Sequence, residues 1–275
     1  ATDDEGGKVE RAAQGYDSAK SYGDSQNYDK LYNDEVKKSN YLLGKGITLN
    51  LGPDADVVSS GAIFDLGRSY SSDANIVKEC IKKVLQARAT TNVNGISISS
   101  ALKHYPGYPD NDANTDHNEA VDDRSVEKIN ENIDVFKSGI NAGAESVMIT
   151  NVIYSNLDPN NPATFSSKII SELRSNFNGV IMTDDIGSAV SGLNRIPISN
   201  GRFKKAVIAG NDMLLMSNGD VTTAYSQIKD AVESGEITEE RINESVTRIL
   251  NWKANAGILS AQTSNTTTST TTVTG

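Results

Sequence analysis

The chain has two histidines, His104 and His117, and both fall in one stretch, residues 103–120, reading KHYPGYPDNDANTDHNEA. An imidazole titrates near neutrality, so beside carboxylates it can take and return a proton at physiological pH. Four carboxylates share the stretch: Asp110, Asp112, Asp116 and Glu119. Pro106, Gly107 and Pro109 fix an irregular backbone just after Lys103 and His104, which suits that pair to donating hydrogen bonds to a ligand hydroxyl or carboxylate. The bland alternative is a structural turn with its basic residue paired to a local Asp. A second constellation is Asp184-Asp185, closing the apolar run GVIMTD. Two carboxylates there are costly to desolvate unless paired or used. Side chains alternate along a strand, so at most one of the two can face a pocket. A helix N-cap before Ile186 is the competing reading. Arg68, in GRSY, follows a glycine and is suited to pairing a core carboxylate or clamping a ligand. The opening DDEGGKVER sets acids before a Gly-Gly turn, either a strand end with a binding carboxylate or a frayed terminus.

Five short apolar or β-branched runs have to position these groups: 46–51, 95–100, 145–150, 179–184 and 212–217. Such runs read as buried parallel strands. Helical periodicity fills the intervals at 73–88, 125–143 and 166–177. The last helix is the clearest, with Thr238 as N-cap, Glu239 and Glu240 in the first turn, Ile242, Val246, Ile249 and Leu250 on one face, and an end near Gly257. Strands alternating with helices predict an α/β domain with a parallel sheet. Asp56, His104, Asn151 and Asp184 all follow strand ends, as active-site residues do in a (β/α)8 TIM-type barrel. A doubly wound open sheet usually carries a glycine-rich phosphate turn, and the chain has neither GxGxxG nor a Walker A sequence.

With 275 residues, 37% of them apolar, the chain is long enough for one large domain or two small ones. A net charge of −10 argues against nucleic acid or an anionic membrane as the main partner. The single cysteine, Cys80, sits on a helical apolar face and excludes an internal disulfide or a thiolate zinc site. Two histidines leave little for another metal, and no cofactor is expected. No apolar run approaches the ~20 residues that span a bilayer. Residues 260–275 are Ser/Thr-rich and read as a linker or tail after a domain at 1–259. Such a tail favours an extracellular or wall-attached protein over a cytoplasmic one. The chain opens without an initiator Met, as a processed product or a fragment would.

Taken in order, DDEGGKVER, GITLNLGPDADV, GRSYSSD, KHYPGYP…DHNE, VMITNVIYSNLD, GVIMTDDIGSAV and AGNDMLLMSN resemble glycoside hydrolase family 3, in its bacterial β-N-acetylhexosaminidase branch. The resemblance implies a retaining glycosidase with Asp184 as nucleophile and His117 as general acid/base. It sets Asp3, Arg68, Lys103 and His104 on sugar-binding positions, and Asp56 on an acid supporting the arginine and lysine. The implied partner is an N-acetylglucosamine-containing glycan of peptidoglycan or chitin type. A β-glucosidase of the same family and a non-catalytic wall-binding protein are the alternatives. Three departures stand out. The aspartate that orients the family's histidine is replaced by Thr115, leaving Asp116, Asp112 or Asp110 for that task. Asn151 stands where the family has a histidine. The family's first β/α unit has no counterpart, which predicts an incomplete barrel with exposed edge strands, continuing into further domains in a longer product.

Overall fold

A computed structural model of the protein describes residues 1–111, 114–187, 190–218 and 221–259. Asp112 and the 260–275 tail lie outside these residues. Five parallel strands form one curled sheet in the order Met213–Leu215, Val180–Asp185, Ser146–Ile149, Ser99–Tyr105 and Leu49–Asn50. Thr2 adds a parallel bridge to Asn50 on the far side. The spatial order follows the sequence order throughout. A doubly wound sheet would reverse direction somewhere, so this is the winding of a barrel. Among the described residues the Met213–Leu215 edge and the Thr2 edge do not pair with each other. The barrel is incomplete, as expected.

One strand differs from its sequence expectation. The run 95–100 splits. Asn92–Val93 and Ile96–Ser97 make a small antiparallel hairpin, because Asn94 (φ 54°) and Gly95 (φ 83°) adopt the two left-handed conformations a tight hairpin turn requires. The buried parallel strand begins only at Ser99 and runs to Tyr105. Lys103 and His104 therefore sit on the strand itself, not in a loop after it.

Period-two alternation gives the sheet two apolar faces. Leu102, Val147, Ile149 and Ile181 point outward, in one cluster with Val77, Ile81 and Val84 of the Ala74–Thr90 helix and Ile129 and Phe136 of the Val126–Asn141 helix. Ala101, Met148, Val180 and Met182 point inward and cluster with Trp252 and Ile249 of the Glu239–Asn255 helix. That helix begins where the sequence predicts, Thr238 accepting the Arg241 N–H at 3.1 Å, and its chain turns at Gly257 (φ 75°). It is pinned to the sheet by Asp212, whose carboxylate accepts from Ser245 at 2.6 Å, Arg174 at 2.6 Å and the Ile181 N–H at 3.0 Å. Two helices not foreseen, Ala19–Ser25 and Tyr28–Gly44, cover the first part of the sheet. Glu35 of the second is buried against Arg88, which also donates to the carbonyls of Asn50 and Gly52 and so fixes the strand end that leads into the site.

Candidate active site

The inward faces end in polar groups. Val180, Met182 and Asp184 share one face of their strand, so the half-buried Asp184 carboxyl stands at the mouth of the half-barrel. Asp185 turns the other way. Its carboxylate takes the Gly187 N–H at 2.7 Å and the Ser217 hydroxyl, and its carbonyl takes the Asn151 amide at 2.8 Å. Of the two adjacent acids, one faces the pocket and the other ties down the turn behind it. No helix is capped here among the described residues.

Opposite lies a buried charge network. The Lys103 ammonium, 1% exposed, reaches Asp3 at 2.7 Å and Glu5 at 2.6 Å. Glu5 also receives a two-pronged contact from Arg68, both bonds at 2.9 Å. Arg68 approaches His104 Nε2 at 3.2 Å, and His104 Nδ1 lies 2.7 Å from Asp56. A guanidinium can only donate. Nε2 is therefore the acceptor in that contact, and Nδ1 carries the proton that faces Asp56. The other Asp56 oxygen takes the backbone N–H groups of His104 (3.2 Å) and Tyr108 (2.7 Å). Asp3, Arg68, Lys103, His104 and Asp56, from four separate stretches of sequence, thus meet in one cluster.

Burial would raise the Glu5 carboxyl, but the charges of Arg68 and Lys103 outweigh it and hold Glu5 well below the usual carboxylate range. Burial would likewise raise Asp56, but His104, through its charge and its hydrogen bond, and the Tyr108 N–H outweigh it, and the net shift is downward. Lys103 is desolvated yet raised, because Glu5 and Asp3 face it. Asp184 is raised, first by burial and then by the charge of Asp116; His104, the Asp185 N–H and Lys103 pull it back.

Asp54 completes the cluster. One of its oxygens accepts the Asp56 N–H at 2.9 Å. The other is buried without a hydrogen bond, 4.0 Å from Arg68 and 3.9 Å from His104. Burial and the neighbouring Asp56 push Asp54 well above the carboxylate range. An acid raised in the fold favours the folded state while protonated. Its contribution is fully present below the unfolded value of about 3.9 and is lost as pH rises toward the folded one. Asp54→Asn keeps the shape and removes the titration. We expect the variant's melting midpoint to gain on the wild type as pH is raised from 4 to 9, read by thermal scans in matched buffers. A constant difference across that range would exclude a protonated Asp54. Asp54, Asp56 and His104 also bring three potential metal ligands within 4.8 Å of one another. The trio does not fit a cation, because the Arg68 guanidinium already sets a fixed positive charge beside it.

The remaining expected residues lie apart from this network. Asn151 is buried with its amide on Asp185 and its oxygen accepting from Thr164 at 2.7 Å, so both ends are engaged behind the pocket. Asp116 and His117 are exposed on the turn following Asn114, whose carbonyl takes the His117 N–H at 3.0 Å. The Asp116 charge is felt at Asp184. Asp110 is occupied by the Ser59 hydroxyl at 3.1 Å. Glu5 and Asp54 were not singled out from the sequence, though each follows its partner, Asp3 or precedes it, Asp56, by two residues, the spacing that sets two side chains on one face of a strand.

Comparison with known proteins agrees with this fold. Residues 1–252 match the model of the glycosyl hydrolase family 3 N terminal domain. A beta-hexosaminidase of Xanthomonas oryzae pv. oryzae is 30% identical over 247 residues, covering 82% of this chain and 69% of that protein. A glycoside hydrolase family 3 beta-N-acetylglucosaminidase from Paenibacillus superposes with a TM-score of 0.84 at 25% identity, over 99% of this chain but 52% of that one, so the chain spans about half its length. A beta-N-acetylhexosaminidase from Beutenbergia cavernae gives 0.80 at 27% identity, over 92% and 77%. This open half-barrel, with an inward aspartate facing a buried lysine and histidine and a partly buried arginine, is matched along nearly its whole described length and belongs to glycosyl hydrolase family 3.

Proposed function

We propose that this chain carries the catalytic half-barrel of a retaining β-N-acetylglucosaminidase. The observation that carries the reading is the single inward carboxylate, Asp184, facing the Lys103–Arg68–His104 network. Lys103 and Arg68 present fixed donors, as recognition of sugar hydroxyls requires; Asp3 and Glu5 hold those donors in place, and Asp56 fixes the ring of His104 beside Arg68. Asp184 attacks the anomeric carbon, and the bond to the leaving oxygen breaks as an acid protonates that oxygen. The same acid, now a base, takes a proton from water. The water attacks the glycosyl ester, and the Asp184 carboxylate is released. His117, with Asp116 beside it, is the acid/base in this reading. It is exposed on its turn, free to reach a leaving group, and an imidazole can both give and take a proton, as the two halves of the cycle require. The substrates are N-acetylglucosamine-ended fragments of wall or chitin type, met outside the cell.

A mechanism-based fluorinated N-acetylglucosaminide tests the reading directly. We expect covalent labelling of the protein, with the mass increment on the peptide containing Asp184, alongside release of nitrophenol from the N-acetylated glycoside in preference to the glucoside. Reversed preference would make it a β-glucosidase. Sugar binding with neither labelling nor turnover would make it a binding protein.

A further inference from the structure

The turn bearing Asp116 and His117 is exposed, yet its root is not. Thr115 is 3% exposed. Its backbone N–H donates to the Tyr108 hydroxyl at 3.1 Å, and that hydroxyl donates to Thr115 Oγ1 at 3.2 Å. Tyr108, 4% exposed, is itself fixed to the sugar-facing network. Its N–H is held by Asp56 at 2.7 Å, and its ring meets His104 edge-on, centroids 5.5 Å apart. On the other side the turn presses against Gly192, where a Cβ would stand 2.2 Å from the Thr115 carbonyl and 2.6 Å from that of Asn118. The remaining tether, Glu119 to Arg195 at 2.7 Å, is solvent-exposed and contributes little. Among the described residues the buried polar anchor of the turn is therefore a single phenol.

Resting on the retaining-glycosidase reading above, we propose that Tyr108 is a positioning residue: its hydroxyl, gripping Thr115, sets the height of the Asp116–His117 turn over Asp184 and couples it to the network around Asp56 and His104. Thr115 occupies the place where the resemblance expects an aspartate, and it faces Tyr108. In this chain that position anchors the turn and does not orient a histidine. The charge of Asp116 reaching Asp184 agrees with a turn held close to the pocket. Tyr108 touches no reacting atom. Its removal should weaken proton delivery while leaving nucleophilic attack in place.

Tyr108→Phe separates the two, because it keeps the ring packing and deletes both bonds. The readout is kcat/KM, which reports glycosylation, on two N-acetylglucosaminides. Methyl as leaving group needs a proton; dinitrophenolate departs without one. General acid catalysis supplies about 10²–10⁴-fold, so partial misplacement of the acid should lower the methyl glycoside about 10–100-fold. The dinitrophenyl glycoside should fall at least about tenfold less. Thr115→Val, which removes only the hydroxyl bond, should shift the same ratio in the same direction but less, and the double variant should be no worse than Tyr108→Phe, as expected of a shared contact. Equal losses on both substrates with a lowered melting midpoint would make Tyr108 merely structural, and no loss on either would remove it from the mechanism; both overturn the proposal. Inactivity of the wild type on both glycosides would instead overturn the glycosidase reading, and the proposal with it.

Discussion

Asp184→Asn is expected to lower turnover of an N-acetylglucosaminide by about four orders of magnitude or more, the scale seen when the nucleophile of a covalent mechanism is removed. The fold should survive. The amide oxygen still accepts the Asp185 N–H, now held at 2.8 Å by Asp184, and replacing a desolvated carboxyl by a neutral isostere removes a cost of burial. The melting midpoint should hold or rise. Loss of both activity and stability would mean that Asp184 is structural. The wild-type pH profile carries a second signature. Attack needs the ionised carboxylate, and burial raises the Asp184 carboxyl from an aspartate's ordinary value. The acidic limb of kcat/KM, where activity is lost as pH falls, should therefore lie above the ordinary aspartate value of about 3.9. A limb at or below that value would mean that Lys103 compensates for burial fully.

Much of this site was readable before the fold. The apolar run ending in Asp184-Asp185 implied a strand, and alternation implied that one acid turns inward; the Val180–Met182–Asp184 face is that implication realised. Thr238 and Gly257 marked the last helix because capping is local chemistry. Non-local facts were less visible. The run 95–100 looked like a buried strand because its apolar content is right, but Asn94-Gly95 imposes a hairpin and moves the strand four residues on, carrying Lys103 and His104 into it. Asn151 followed a strand end, as catalytic residues do, yet its two partners come from residues 164 and 185, which no local pattern pairs with it. Glu5 and Asp54 were within reach of the alternation applied to Asp184. Asp3 with Glu5, and Asp54 with Asp56, repeat the two-residue spacing. What the sequence lacks is the burial that turns four acids into one coupled network, since that depends on Arg68 and Lys103 arriving from elsewhere in the chain.

That network predicts the largest stability effect. Glu5→Ala should cost about 3–5 kcal/mol, the range for breaking a buried ion pair from one side. Glu5 is the one carboxylate shared by Lys103 and Arg68. Without it, Lys103, 1% exposed, keeps only the half-exposed Asp3, and Arg68 keeps only His104 and the distant Asp54. Two desolvated cations then face each other with too few acceptors. Acid titration gives the same interaction from the other side. A carboxyl whose folded pKa is depressed contributes stability that is present above its unfolded value and lost as pH falls through the folded one. For Glu5 the loss begins below about 4.5 and continues far into acid. Denaturant midpoints measured from pH 7 to pH 2 should therefore fall for the wild type and converge on those of Glu5→Ala. Glu5→Gln should lie between the two at neutrality, because it keeps an acceptor for Arg68 but no charge for Lys103. If Glu5→Gln matched the wild type in stability while binding sugar less tightly, the carboxylate would be spent on orienting Lys103 and Arg68 for ligand, with little left to hold the barrel together. If it matched Glu5→Ala in stability, the charge itself would be what keeps this end of an open half-barrel folded.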